Sequence, residues 1–160
     1  MARVVILGCG YIGIELGRQL TDVGHEVVGV RRSAEGCAAI ENAGFSAHRA
    51  DLTDSEAVDR LPDADWLVFA ASSGGRGADA AREIYVDALS GVLDSYGSRA
   101  SSPERLVYTG STGVYGDHDG DWVDESTPLE PTTAKTEVLA EAERVAREDA
   151  ADHGIDGTIA

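Results

Sequence analysis

The chain has 160 residues, a length that suits one domain whose core needs neither a disulfide framework nor a structural metal. Its formal net charge of −16 produces a field that repels nucleic acid and anionic membranes, so we expect neither as a partner. There is no apolar run of 18 residues and no basic start followed by an apolar segment, so we expect a soluble, cytoplasmic protein.

The hydrophobic pattern predicts alternating strands and helices along the whole chain. In chain order these are strand 3–7, helix 11–23, strand 26–30, helix 34–43, strand 45–50, helix 54–61, strand 66–71, helix 78–96, strand 106–109, helix 133–152 and the start of a sixth strand at 155–160. Ser33 and Thr53 stand where N-caps are expected, and Gly24 and Gly44 where helices end.

This alternation predicts an α/β Rossmann-like three-layer sandwich. Its parallel sheet has right-handed crossovers and the strand order 3-2-1-4-5, with strand six only begun. Ligands are expected outside the carboxyl ends of strands one and four, where the strand order reverses.

A glycine motif, G-x-G-x-x-G over residues 8–13, lies between the first strand and the first helix. Gly8 permits a sharp turn, Gly10 lets a pyrophosphate approach the backbone, and Gly13 lets the helix pack close to the strand. Tyr11 and Ile12 begin the helix, whose free N–H groups and positive dipole end favour phosphates. The alternative is that the glycines only shape the turn, but the complete βαβ context favours a nucleotide site.

The end of the second strand carries Arg31 and Arg32 where NAD-preferring sites carry an acid. Arginine cannot accept hydrogen bonds from a ribose 2′-hydroxyl, but its guanidinium suits a 2′-phosphate. We therefore predict NADP, with NAD less favoured. Alternatively, the two arginines only pair with surface acids.

Two further strand ends supply cofactor-binding candidates. Asp51 can accept from the adenine amino group while Leu52 packs on the ring, although an acid is also common in turns. Ala70, Ala71 and Ser72 are small enough for a cofactor to lie across the end of strand four, and core packing explains the alanines equally well.

Four motifs together resemble the extended short-chain dehydrogenase/reductase superfamily, and its NAD(P)-dependent epimerase/dehydratase branch in particular. They are G-C-G-Y-I-G at 8–13, D-L at 51–52, A-A-S at 70–72 and G-S-T-G-V-Y-G at 110–116. The resemblance implies an oxidoreductase or epimerase that acts on a nucleotide-sugar or another small carbonyl or hydroxyl compound. It also suggests a homodimer.

Members of that branch use a Ser or Thr to orient the substrate and a Tyr with a Lys four residues on as acid and base. By its spacing to Tyr115, Ser111 matches the hydroxyl residue. Lys135 is present, but Pro131 stands four residues before it. We list Ser111, Tyr115 and Lys135 as catalytic candidates and no residue as a metal ligand.

The Tyr-x-x-x-Lys pair is not restored by the other alignment of the last helix. If the helix is aligned through Glu141, the Tyr position falls on Thr133 and the Lys position on Glu137. This pattern resembles atypical members of the superfamily. Three hypotheses stay open: an enzyme, an NADP(H)-binding sensor without turnover, and a Rossmann-like domain that binds no nucleotide.

Two expectations concern the whole chain. Members of the resembled branch continue into a C-terminal substrate-binding part, so residues 1–160 are expected to be the NAD(P)-binding domain, truncated before it. The excess of acids, with lysine only at Lys135, resembles proteins adapted to high salt. An ordinary acidic cytoplasmic protein is the alternative.

Overall fold

Six parallel strands form one sheet in the order β3-β2-β1-β4-β5-β6 in the computed structural model, which describes residues 1–75 and 77–160. The strands are β1 (Arg3–Leu7), β2 (Glu26–Arg31), β3 (Ser46–Arg49), β4 (Trp66–Phe69), β5 (Arg105–Tyr108) and β6 (Asp156–Ile159). The predicted α/β class and strand order are confirmed. The sixth strand, predicted only as a start, spans Asp156–Ile159 and pairs in parallel with β5 from Arg105 to Tyr108.

Helices cover both faces of this sheet. They are α1 (Tyr11–Asp22), α2 (Ala34–Asn42), α3 (Ser55–Asp59), α4 over residues 78–97 and α5 over residues 134–152. Both α4 and α5 contain a π-helical segment, Glu83–Ala88 in α4 and Val145–Asp149 in α5. In the described part of the chain, no helix combines the length and apolar character needed to cross a membrane.

The core consists of two layers because alternate residues of each strand point to opposite faces. Val4 and Ile6 of β1 belong to the layer that also contains Ile40 of α2. Val5 and Leu7 belong to the larger layer, which also contains buried apolar residues of α3, α4 and α5. The central strand β1 is therefore buried on both sides, as parallel sheets require.

One local prediction, the N-cap of α3, was wrong. Asp54, not Thr53, caps α3, since the Asp54 carboxylate accepts from the N–H groups of Glu56 and Ala57. The Thr53 hydroxyl donates instead to Asp51 at 2.8 Å, so the charged carboxylate of the next residue takes the cap.

The buried face of α4 changes its phase at the π-helical segment. An α-helical period places Ile84 with Ala88, Val92 and Leu93, but Ile84 is only half-buried. A π-turn adds one residue per turn and so shifts the phase of the buried stripe. Val86 takes the buried position, and Ile84 and Tyr85 lie at the margin of the core.

The packing of α1 on the sheet predicts a stability difference between two helical glycines. A Cβ on Gly17 would overlap the buried ring of Phe45, whereas a Cβ on Gly91 of α4 would meet open space. We expect Gly17→Ala to lower the free energy of unfolding by about 1–3 kcal/mol through overpacking. Gly91→Ala should raise it by about 0.5–1 kcal/mol, because alanine favours the helix. Urea denaturation of both variants checks this, and equal effects would contradict the packing.

Candidate functional site

A cleft of about 550 Å³ opens at the carboxyl ends of β1, β2, β3 and β4. Eleven of the twelve predicted cofactor-binding residues line it: Gly8, Gly10, Tyr11, Ile12, Arg31, Arg32, Asp51, Leu52, Ala70, Ala71 and Ser72. Gly13, the twelfth, lies beneath the cleft. Val30, Ser33, Ala50 and Ile84 also line it. The structure thus brings together four strand ends, from Leu7 to Phe69 along the chain, at the reversal of the strand order.

The floor of the cleft is the glycine turn. Gly8 has φ 77°, and a Cβ there would overlap the backbone of Ala71 at the end of β4. A Cβ on Gly13 would lie 2.9 Å from the Ile6 side chain, so α1 packs directly on β1. Gly10 is the N-cap of α1 and has no side chain to cap it. The first N–H groups of α1 are therefore available to an anion.

Cys9 lies inside the same turn but faces the core. It is fully buried, and burial raises the pKa of its thiol to about 11 despite the nearby positive charge of Arg31. The thiol is therefore neutral and unreactive at neutral pH. Among residues 1–75 and 77–160, no three His, Cys, Asp or Glu side chains are grouped so as to hold a metal ion.

The Arg31 side chain lies between the N-terminal ends of α1 and α2. A Cβ on Gly10 would lie 2.8 Å from Arg31 Nη1, and one on Gly36 would lie 2.8 Å from Arg31 Nε. In the described part of the chain, neither Arg31 nor Arg32 forms an ion pair with a carboxylate, whereas seven other arginines do. These two guanidinium groups are thus left for a ligand in an otherwise acidic protein.

Asp51 stabilises a turn, which is one of the two roles that the sequence suggests for it. Its Oδ1 accepts from the Thr53 N–H at 3.0 Å and from the Thr53 hydroxyl at 2.8 Å. These hydrogen bonds, with a further contribution from the charge of Arg32, lower the pKa of Asp51. The carboxylate is therefore ionised and held at the wall of the cleft, beside Leu52.

Within the described part of the chain, the lining of the cleft includes none of the three catalytic candidates. Ser111 follows β5 and caps the 3-10 turn Thr112–Tyr115, with its hydroxyl accepting from the Gly113 N–H at 3.2 Å. Tyr115 ends that turn, and its carbonyl lies 2.7 Å from His118 Nε2. Lys135 is a partly buried residue in the first turn of α5.

Thr133, at the position that one alignment gives to the family tyrosine, has a structural role. Its hydroxyl accepts from the Thr136 N–H at 3.1 Å, and the Thr136 hydroxyl in turn accepts from the Thr133 N–H at 3.0 Å. This capping box begins α5. The Thr133 hydroxyl therefore serves the helix end.

Two ionisable side chains near the site were not predicted. Glu143 of α5 is 7% exposed, and burial raises its pKa, although the charge of Arg147 and the Ser111 N–H act in the opposite direction. Tyr85 of α4 lies against the loop after β4, where its Oη accepts from the Ser73 N–H at 3.2 Å. No sequence motif marks either residue, since each lies inside a helix with ordinary apolar spacing.

Comparison with known proteins agrees with this geometry. Residues 4–160 match the model of the NAD dependent epimerase/dehydratase family. Protein YeeZ of Escherichia coli K12 is 33% identical over 148 residues, covering 89% of this chain and 52% of that protein. UDP-glucose 4-epimerase of Streptomyces lividans is 28% identical over 157 residues, covering 92% of this chain and 47% of that protein. This chain spans about half the length of the curated relatives it matches.

A solved structure shows the same fold. The UDP-glucose 4-epimerase of Stenotrophomonas maltophila, solved with bound NAD and formylated UDP-arabinopyranose, superimposes with a TM-score of 0.80 at 21% identity. The match covers 99% of this chain and 51% of that one.

The two acids of α5 near the site should affect stability in opposite directions. The pKa of Glu143 is higher in the folded than in the unfolded protein. Its contribution to the free energy of unfolding is therefore present at a pH below the unfolded-state pKa, and it is lost as the pH rises through the folded-state pKa. We expect Glu143→Gln to remove that loss. Between mildly acidic and neutral pH, the free energy of unfolding of the variant should therefore fall less than that of the unmodified protein.

Glu141→Gln is the matched control. The hydrogen bond from Arg82 lowers the pKa of Glu141, so its contribution is present at neutral pH and lost on acidification. Its removal should slightly lower stability at neutral pH, since exposed pairs contribute little. Urea unfolding as a function of pH measures both, and a shift of the two curves in the same direction would contradict the assignment.

Proposed function

We propose that this chain binds a nicotinamide dinucleotide in the cleft. The proposal starts from the chain's membership of the NAD-dependent epimerase/dehydratase family, which is part of the extended short-chain dehydrogenase/reductase superfamily. We further propose that it acts in redox chemistry on a small hydroxyl or carbonyl compound. The observation that carries the proposal is the convergence of eleven predicted residues on one cleft, above an uncapped helix end.

The residues of the cleft suit the parts of such a cofactor. The turn from Gly8 to Gly13 and the first N–H groups of α1 suit the pyrophosphate. Asp51 and Leu52 suit the adenine, and the small residues Ala70 and Ala71 leave room at the end of β4. When bound, the nicotinamide supplies hydride transfer.

Arg31, Arg32 and Ser33 favour NADP as the cofactor. All three line the cleft at the end of β2, where an acid would be needed to accept from a ribose 2′-hydroxyl. The two guanidinium groups, unpaired within the described part of the chain, suit a 2′-phosphate instead.

A nucleotide-sugar is the substrate class that we propose. Relatives named as UDP-glucose 4-epimerases support it. The Ser111 loop, at the end of the strand next to β4, is suitably placed to orient a hydroxyl or carbonyl group. That the whole protein acts on such a substrate is likewise our proposal.

A sensor that binds NADP(H) without turnover is the second candidate. It is favoured by the capping box at Thr133, which occupies one of the positions where the family tyrosine is expected. Both candidate functions, the enzyme and the sensor, use the same cleft to bind the cofactor. They differ in whether a residue of the site transfers a proton to or from a substrate.

Gly10→Val tests the nucleotide site. The added side chain would meet Arg31 Nη1, the mobile end of a long side chain, so the fold should tolerate it. It would also occupy the space through which a pyrophosphate approaches the backbone, so we expect the affinity for NADP to fall at least about tenfold, or ~1.4 kcal/mol. Calorimetry measures this, with Gly91→Ala as the control that should retain binding. Unchanged affinity in Gly10→Val would refute the site.

The cofactor preference is tested by Arg31→Asp combined with Arg32→Ser. Hydrogen bonds to charged groups contribute roughly 1.5–3 kcal/mol, so NADP binding should weaken by about 10- to 100-fold relative to NAD. Arg60→Ser removes a positive charge that is paired with the exposed Glu56 and does not line the cleft, and it should leave the ratio unchanged. A ratio of NADP to NAD affinity that does not move in the double variant would show that the arginines do not select the cofactor.

A further inference from the structure

We propose that Tyr85 is the proton-transferring residue of this site and that Lys135 is the positive charge that stabilises its phenolate. The inference rests on the proposed function and deepens it, because it supplies the phenol that the sequence lacks at positions 131 and 133. Tyr85 and Lys135 lie on different helices and are 50 residues apart along the chain.

The first observation is the place of the Tyr85 hydroxyl. Tyr85 lies in the π-helical segment of α4, and its neighbour Ile84 lines the cleft. Tyr85 Oη accepts from the N–H of Ser73, whose neighbour Ser72 also lines the cleft. The phenol therefore meets the loop after β4 at the edge of the cleft. π-turns of this kind occur frequently at functional sites.

The second observation is the direction of that hydrogen bond. The phenol oxygen acts as an acceptor from a main-chain N–H, an arrangement that favours the ionised form of the group. Among the described residues, no carbonyl or carboxylate accepts the Tyr85 proton. The Tyr96 phenol differs in this respect, since it donates to the Pro62 carbonyl at 2.9 Å.

The third observation is the contact between α4 and α5. Arg82 of α4 forms two hydrogen bonds with the Glu141 carboxylate of α5, one of them 3.0 Å long and the other 2.6 Å. This bidentate pair holds the two helices side by side, and the charge of Lys135, in the first turn of α5, acts on the Tyr85 phenol across this contact. Within the described residues, Lys135 forms no ion pair with a carboxylate.

The charges around Tyr85 support ionisation. Burial acts to raise the pKa of Tyr85, but the hydrogen bonds from Ser73 and Ser72 and the charge of Lys135 outweigh it, and the pKa is lowered. Burial has the opposite outcome elsewhere, because it raises the pKa of Tyr96 to about 12 and raises that of Tyr108 further.

The acids that approach Tyr85 have other partners or lie in solvent. On the facing helix α5, Glu141 is paired with Arg82, and burial raises the pKa of Glu143, which favours its neutral form. On α4 itself, Glu83 and Asp87 are exposed. On β5, the Tyr108 phenol stays neutral at neutral pH.

The proposed step is a simple proton exchange. The Tyr85 phenolate accepts the proton of a substrate hydroxyl and becomes a neutral phenol, and the substrate oxygen becomes an alkoxide. In the reverse direction the phenol returns the proton. A phenol with an ordinary pKa near 10 is a poor base at neutral pH, so the neighbouring cation is required.

The test is a titration of the protein labelled with ¹³C at the tyrosine Cζ, followed by NMR. We expect one tyrosine to ionise below ~10, the ordinary value for a phenol, and Tyr85→Phe to remove that signal. Lys135→Met should move its midpoint to higher pH, whereas Lys135→Arg keeps the charge and should retain the low midpoint. Tyr96 and Tyr108, which should not ionise in this range, are internal references.

The second part of the test adds NADP⁺ or NADPH to the labelled protein. If Tyr85 faces the nicotinamide, the positive ring of the oxidised form should lower the Tyr85 midpoint more than the reduced form does. An ordinary Tyr85 midpoint, equal midpoints in Lys135→Met and Lys135→Arg, or no difference between the two dinucleotides would each overturn the proposal.

A failure of the proposed function is distinguishable from a failure of this inference. If neither dinucleotide gives heat in calorimetry, the cofactor site is refuted whatever Tyr85 does. If a dinucleotide binds and the Tyr85 midpoint is ordinary, the cofactor site stands and the sensor without turnover becomes the better account.

Discussion

The close approach of the glycine turn to the end of β4 is the constraint on which the rest of the site depends. Gly8 adopts φ 77° directly against the backbone of Ala71, a contact that any side chain at position 8 would break. Because β1 and β4 are neighbours, α1 leaves toward one face of the sheet and α4 toward the other. The cleft is the space between the starts of α1 and α4, and its depth depends on the absence of a Cβ at Gly8 and Gly10.

The positive charge of the cleft comes from two arginines that, among the described residues, are not paired with acids, unlike several others in the chain. Arg82 and Arg99 hold elements of the fold together, Arg144 pairs within its own helix, and Arg99 in addition lies over the Tyr96 ring, 3.8 Å from its centroid. Most of these pairs are exposed and contribute little to stability. Arg31 and Arg32 are instead directed to the cleft of a protein with a net charge of −16. Adaptation to high salt, which that charge suggests, stays a prediction.

The sequence predicted the cleft well because strand ends are set by short-range patterns. Buried runs that stop at Gly8, Arg31, Asp51 and Ala70 locate four strand ends, and parallel topology brings strand ends together. The cap of α3 was wrong because Thr53 and Asp54 are adjacent and both are good caps. The choice between them depends on Asp51, which engages the Thr53 hydroxyl.

Tyr85 could not be predicted in this way, because its position depends on a change of helical phase. With α-helical spacing, the stripe of Ile84, Ala88 and Val92 assigns Ile84 to the core. The π-helical segment moves Val86 into the core instead, so that Ile84 lines the cleft and Tyr85 reaches the loop after β4. Glu143 was missed for a related reason, since an acid within a helix is ordinarily a solvent-facing residue.

The start of α5 explains why a phenol on α4 is a reasonable substitute for one on α5. Thr133 and Thr136 use their hydroxyls to cap the helix, which gives α5 a fixed beginning without a tyrosine there. A proton-transferring pair requires only that its phenol and its cation be neighbours at the cleft, and the Arg82–Glu141 contact brings α4 and α5 together. Lys135 can thus act on a phenol from the opposite helix, because the electrostatic effect depends on distance and not on sequence spacing.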